Sequence, residues 1–132
     1  MERAVQIILE NEARDSGLQP DKQRVNVGQT IRNAERTSDE KAAIGGSWKQ
    51  FWKIFAADDY PLTCSFCGEP LSEEDIDGCH IEIKRSYLFR EGEYYLEKKY
   101  IIPGHHSCNM QLGDEFKAQE GILAIEAIEK ED

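Results

Sequence analysis

Two spaced pairs of metal-seeking side chains stand apart in this chain: Cys64-x-x-Cys67, followed at once by Gly68, and His105-x-x-Cys108 further on. A C-x-x-C turn aims two thiolates at one point, and a glycine after it tolerates the backbone conformation that the turn requires. The i, i+3 spacing of His105 and Cys108 sets both side chains on one face at the start of a helix, where the positive helix end favours a thiolate. Four such donors make a closed tetrahedral zinc site. Cys64, Cys67, His105 and Cys108 are therefore the expected ligands, with His106 and Cys79 as competing candidates. Four cysteines could instead pair as two disulfides, but in a reducing compartment this arrangement reads as zinc. The half of the chain that carries the ligands has a thin core, and zinc ligation couples directly to folding there.

The chain has 132 residues, enough for one compact domain. A helical region over residues 1–60 and a metal-binding module over residues 61–132 are expected to pack together, an α+β arrangement. Val5, Ile8 and Leu9 recur at helical spacing, and Gly17 and Pro20 end that helix. Thr37 with Glu40 would cap a short helix from about residue 38. Ser47 caps "WKQFWKIF", where Trp48, Phe51, Trp52 and Phe55 form one aromatic face, read as core against the metal half or as a contact surface. Cys79, Ile81 and Ile83 alternate with polar residues as in a strand, and "YLFREGEYYLEKKYII" reads as two strands around a turn near Glu91-Gly92. From about Ser107 the pattern turns helical through Ile122, Leu123, Ile125 and Ile128, which predicts a long C-terminal helix.

Net charge is −10, and it is uneven: residues 1–60 hold nine Lys/Arg against ten Asp/Glu, residues 61–132 seven against sixteen. An acidic surface repels phosphate backbones, so nucleic acid is a disfavoured partner for the whole chain and a basic protein a fitting one. No apolar run approaches the length of a membrane span and the N-terminus lacks a signal-peptide pattern, so a cytoplasmic protein without membrane contact is expected.

C-x-x-C, a Cys-His-Ile step on a strand, a proline and then a ligand pair ending in Cys-Asn at a helix start: from Cys64 to Gly113 this order resembles the zinc-bearing HNH endonucleases. The resemblance implies a treble-clef-like ββα-metal module with a structural Zn²⁺. It also implies His80 as the general base that activates water and Asn109 as a ligand of a catalytic Mg²⁺ or Mn²⁺ in phosphodiester hydrolysis. The chain departs from the family at Cys79, where an acid is usual, at Tyr100, near the position of the middle Asn, and at Leu112, where a Lys is usual. Lys84, Arg85, Arg90, Lys98 and Lys99 would form a local basic strip. Two functions follow: a metal-dependent endonuclease acting on DNA or RNA, or a catalytically inactive HNH-like protein that binds a basic partner, as an inhibitor or accessory of a nucleic-acid enzyme would.

Overall fold

A computed structural model describes residues 3–37, 39–58 and 62–131. The architecture is mixed α+β. Helix α1 (Arg3–Asp15) is followed by short strands β1 (Lys22–Val25) and β2 (Thr30–Asn33), then helix α2 (Trp48–Ala56). Strand β3 (Asp77–Ser86), strands β4 (Glu93–Tyr95) and β5 (Tyr100–Gly104), a one-turn helix α3 (His106–Asn109) and strands β6 (Glu115–Lys117) and β7 (Ile122–Glu126) complete the chain. The strands form one curled antiparallel sheet in the order β1-β7-β5-β3-β2-β6, with β4 pairing the far end of β3.

Helix α2 forms where its aromatic periodicity predicts. The Ser47 hydroxyl accepts the Gln50 N–H at 3.2 Å, and the helix closes at Ala57, which adopts the left-handed conformation (φ 50°) and returns its N–H to Lys53. Phe51, Trp52, Ile54 and Phe55 are buried, so this face is core. It lies across β3, β5 and β7. The approach to β3 is close: a Cβ on Gly78 would sit 2.3 Å from the Trp48 carbonyl carbon, so only glycine fits there. Strand β5 is buried along its whole length, and Ile101 and Ile102 on its two faces are both fully covered. A strand enclosed on both sides reads as the continuous apolar run "YIIP".

Three expectations need correction. The N-terminal region is not wholly helical: Val25 and Ile31 anchor β1 and β2, which pair with β7 and with β3 and β6. Strands from both halves of the chain thus share one sheet. Among the described residues no helix starts near residue 38, since residues 39–46 run as a turn, irregular chain, bends and a bridge between Ala42 and Glu129 (Ser38 lies outside the described residues). The long C-terminal helix is replaced by α3, β6 and β7. Asn33 captures the chain just after α3, its N–H bonding Asp114 O and its carbonyl accepting from Gly113 N–H. Gly113 turns the chain there at φ +79°. Ile122, Leu123 and Ile125 suit either periodicity, but the β-branched pairings Val25↔Ile122 and Ile101↔Ile125 decide for a strand. The turn near Gly92 is present (φ +109°, with Tyr87 N–H donating to Gly92 O), although the strand that enters it is the end of β3.

Candidate metal centre

The first ligand pair sits in a tight reversal. Thr63 bridges Pro70, Cys64 N–H donates to Glu69 O, and Gly68 N–H returns to Cys64 O at 2.8 Å with Gly68 at φ +80°. Ser65 ties the turn to the C-terminal half, its hydroxyl donating to Glu120 O and its carbonyl accepting from Gln119 N–H. Strand β5 delivers the second pair: His105 occupies the N-cap of α3 and Cys108 lies one turn on, buried. Gly104 allows the two to close together, because a Cβ there would lie 2.7 Å from the Phe66 ring.

The outcome is a set of four donor atoms, from Cys64, Cys67, His105 and Cys108, all within 4.8 Å of one another. These residues are positioned to hold a metal ion such as zinc. His105 Nδ1 faces Cys67 Sγ at 3.2 Å, while Nε2 lies 3.1 Å from Pro70 O. A proton on Nε2 donates to that carbonyl and leaves the Nδ1 lone pair for the metal, the usual way a neighbouring acceptor sets the tautomer of a histidine ligand. Burial pushes the Cys64 thiol up, but the backbone N–H groups of His105, Cys67 and Phe66 outweigh it and hold Cys64 below the ordinary range. Burial, with Cys64 and Cys67 alongside, pushes Cys108 up to about 12. Sulfurs packed this closely become anionic together only around a cation.

The competing candidates are placed elsewhere. Cys79 is fully buried, its thiol held protonated by burial and then by Asp77, and its Sγ turns to Asp77 O at 3.6 Å. His106 is exposed, and its Nδ1 lies 2.7 Å from Asp77 Oδ2. The hydrogen bond to Asp77, before its charge, raises the His106 pKa. Asn109 Nδ2 donates to the same carboxylate oxygen at 2.8 Å. Asp77, His106 and Asn109 therefore form one half-buried cluster, open at His106, beside the four donors, and Asp77 stands one pleat before Cys79 on the same face of β3.

His80 points the other way. It is 6% exposed, its ring meets Trp48 edge-on at 4.6 Å, and its Nε2 lies 3.2 Å from Glu40 Oε2 without a well-directed hydrogen bond. His80 and Asn109 are not brought together. Tyr100 is buried, and its hydroxyl donates to Asp21 at 2.6 Å. The basic residues do not form an open strip near Asp77: Lys84 pairs with Glu115 and Lys98 with Glu126, and Arg85 donates to Gln23 and to Arg24 O. Lys84 and Arg85 also lie at the far end of β3, roughly 23 Å along the strand from Asp77. Among the described residues, no helix is long and apolar enough to cross a membrane.

Two positioning residues were not apparent from the sequence. Asn33 is buried and donates from Nδ2 to Cys108 O at 2.7 Å and to Gln111 O at 3.0 Å, which pins the end of α3. The strand Thr-Ile-Arg-Asn that it ends carries no local signal for that role. Glu40 lies over His80 at 3.2 Å, with the Glu129 carboxylate near enough to raise its pKa. Burial lowers the His80 pKa to about 4, aided by Lys99 and opposed by Glu129. Burial raises Glu40 to about 7, reinforced by Glu129 and opposed by Lys99.

The two shifts oppose each other in the pH dependence of stability. Between about pH 4 and 6.5 the unfolded chain protonates His80 while the folded chain does not, so this contribution grows as pH rises. Folded Glu40 keeps a proton that the unfolded chain releases above pH 4.5, so its contribution is full below 4.5 and is lost as pH rises through 7. Their sum is nearly flat from pH 4.5 to 6.5. Glu40→Gln should expose the His80 slope, with stability relative to wild type climbing over that window by roughly 1–3 kcal/mol. Urea unfolding of both proteins at several pH values measures the difference, in which the pH dependence of metal binding cancels. Parallel profiles would refute the raised pKa of Glu40.

Comparison with protein-family models, with curated proteins and with solved structures returns no match for this chain.

Proposed function

We propose that this chain is a divergent HNH-type module, stapled by a structural zinc in treble-clef order, that works by binding a basic partner protein. The observation that carries this reading is the burial of His80. A general base must reach a water beside the scissile phosphate and take its proton near neutral pH. A histidine covered by Trp48 and Glu40, with its pKa held near about 4, is poorly suited to that task. The elements run as turn with two ligands, antiparallel β3–β5 pair, and helix start with two ligands, the order the resemblance implies. The exposed acidic turn Glu73–Asp75 lies against α3, with Asp75 Oδ1 3.4 Å from His106 N, and offers a face for a basic surface.

A second reading rests on the cluster of Asp77, His106 and Asn109. Asp77 supplies the carboxylate that Cys79 does not, and with Asn109 it would hold a catalytic Mg²⁺ or Mn²⁺ while His106 takes the proton in a phosphodiesterase. Lys84, Arg85, Lys98 and Lys99 lie at the opposite end of the β3–β5 pair from Asp77, which argues against it.

Nicking of supercoiled plasmid and cleavage of single-stranded RNA, with Mg²⁺ or Mn²⁺ at equal zinc content, separate the two. No cleavage above background is expected, together with salt-sensitive binding of a polybasic peptide that Glu73→Lys/Glu74→Lys weakens at least tenfold. Cleavage abolished by Asp77→Asn would favour the second reading. Cleavage abolished by His80→Ala would overturn the first.

A further inference from the structure

Away from the metal centre, between the β1 edge of the sheet and the β4 arm, lies an open cavity of about 630 Å³ lined by Asp21, Tyr94, Tyr95, Glu97, Lys98 and Tyr100. Its size is in the range of small-ligand sites. Its chemistry is specific. Asp21 stands just before β1, and its Oδ2 accepts from Tyr100 Oη at 2.6 Å and from Gln23 Nε2 at 2.9 Å. Those two donors, Gln23 first, hold the Asp21 carboxyl below its usual range. The carboxylate is thus fixed in place and anionic.

Aromatic rings and a second acid complete the lining. Tyr94 is exposed at the rim of the cavity and is steadied by Tyr87, whose ring centroid lies 4.8 Å away. Tyr95 carries the chain's own Arg32 guanidinium 3.7 Å from its ring centre, with Lys84 5.3 Å from it, which leaves Tyr94 as the open aromatic ring of the lining. Glu97 adds negative charge. Lys98, the one cation among the lining residues, lies 3.8 Å from Glu126 and its charge also helps to hold the Asp21 carboxyl low, so a ligand cation would take its place beside Asp21 while this exposed side chain turns to solvent. A carboxylate with aromatic walls repels anions and favours a compact cation that sheds part of its water against the rings.

We propose that this cavity is a binding site for an alkylammonium group, with Asp21 as counter-ion and Tyr94 as aromatic wall. It goes beyond the partner-binding reading and does not depend on whether phosphodiesters are cleaved. Two sources share this chemistry, a lysine side chain of a basic protein and a free small amine. The acidic turn Glu73–Asp75 belongs to a different surface.

Titration of the zinc-loaded protein with acetyl-Gly-Lys-Gly-amide and, separately, with methylammonium, followed by amide chemical shifts, tests the site. Saturable shifts at residues 94–100 and around Asp21 are expected. Asp21→Asn and Tyr94→Ala should each weaken binding at least tenfold. Zinc content and melting temperature report that both variants remain folded, and Tyr94→Ala tests the site even if Asp21→Asn disturbs Tyr100. Tighter binding of the peptide assigns the site to a lysine side chain, and tighter binding of methylammonium assigns it to a free amine. No saturable binding of either probe, binding that neither variant weakens, or preferential binding of inorganic phosphate would overturn the proposal. Glu73→Lys/Glu74→Lys should leave probe binding unchanged, so failure here is distinguishable from failure of the acidic docking face.

Discussion

Cys108→Ser is expected to remove the metal and the cooperative unfolding transition together. The Cys108 sulfur is one of the four clustered donors, and its carbonyl accepts the buried Asn33 amide, so this residue joins the metal centre to β2. A structural zinc contributes on the order of 10–16 kcal/mol, as much as the whole net stability of a domain, about 5–15 kcal/mol. Serine keeps the size but not the soft thiolate, and three ligands with an unmatched hydroxyl hold zinc far more weakly. A colorimetric chelator after unfolding should find one zinc per wild-type chain and well under one in Cys108→Ser. Circular dichroism should show a sharp melt replaced by a broad one. Cys64→Ser should behave alike. Cys79→Ala and His106→Ala should load zinc as wild type does, because neither side chain joins the donor set. A Cys108→Ser protein that keeps one tight zinc and its melting transition would refute the assignment.

The ligands were legible because their signal is local: each pair is spaced i, i+3, and each sits on an element that the neighbouring residues specify, a Gly-closed turn and a helix start. Helix α2 was legible for the same reason, with Ser47 capping a run whose aromatic residues fall on one face. What the sequence concealed depends on contacts across long separations. Strands β1 and β2 bury only Val25 and Ile31 with a few small neighbours, too few for a period, and their partners are up to a hundred residues away, as in Lys22↔Ile125. Asp77 reads as the end of an acidic stretch until β3 pairs with β5 and brings α3 alongside. His80 carries the same letter whether it is exposed as a base or buried under an indole, and only the docking of α2 on β3 distinguishes these. The last helix failed because apolar residues at 122, 123 and 125 satisfy two periods, and the sheet edge available at β1 and β5 selected one.

The two halves of the molecule meet on β5, which explains why the metal alone does not account for the fold. Phe66 from the Cys64 turn lies over Gly104 at one end of that strand, while α2 covers the sheet from the N-terminal half. A metal held by the four donors would therefore fix the turn and α3, while the aromatic helix fixes the sheet beneath them.

Trp52→Ala should produce the largest loss of stability among substitutions that leave every metal ligand in place. The side chain is 1% exposed, and its Nε1 donates to Leu123 O on β7 at 2.7 Å. Truncation removes a full indole from a packed interface and leaves a buried carbonyl short of a donor, a cost of roughly 3–5 kcal/mol. For a domain of this size the melting temperature should fall by roughly 10–20 °C. Trp52→Phe keeps much of the volume and loses the hydrogen bond, so a fall of about 1–2 kcal/mol is expected, which separates packing from polar contact. Zinc content should stay at one per chain in both, since the four donors lie on other elements. A shift of only a degree or two in Trp52→Ala would mean that α2 is not what holds the sheet. Loss of zinc in a protein that still unfolds cooperatively would mean that the helix and the metal centre are coupled through β5 more tightly than their separate contacts indicate.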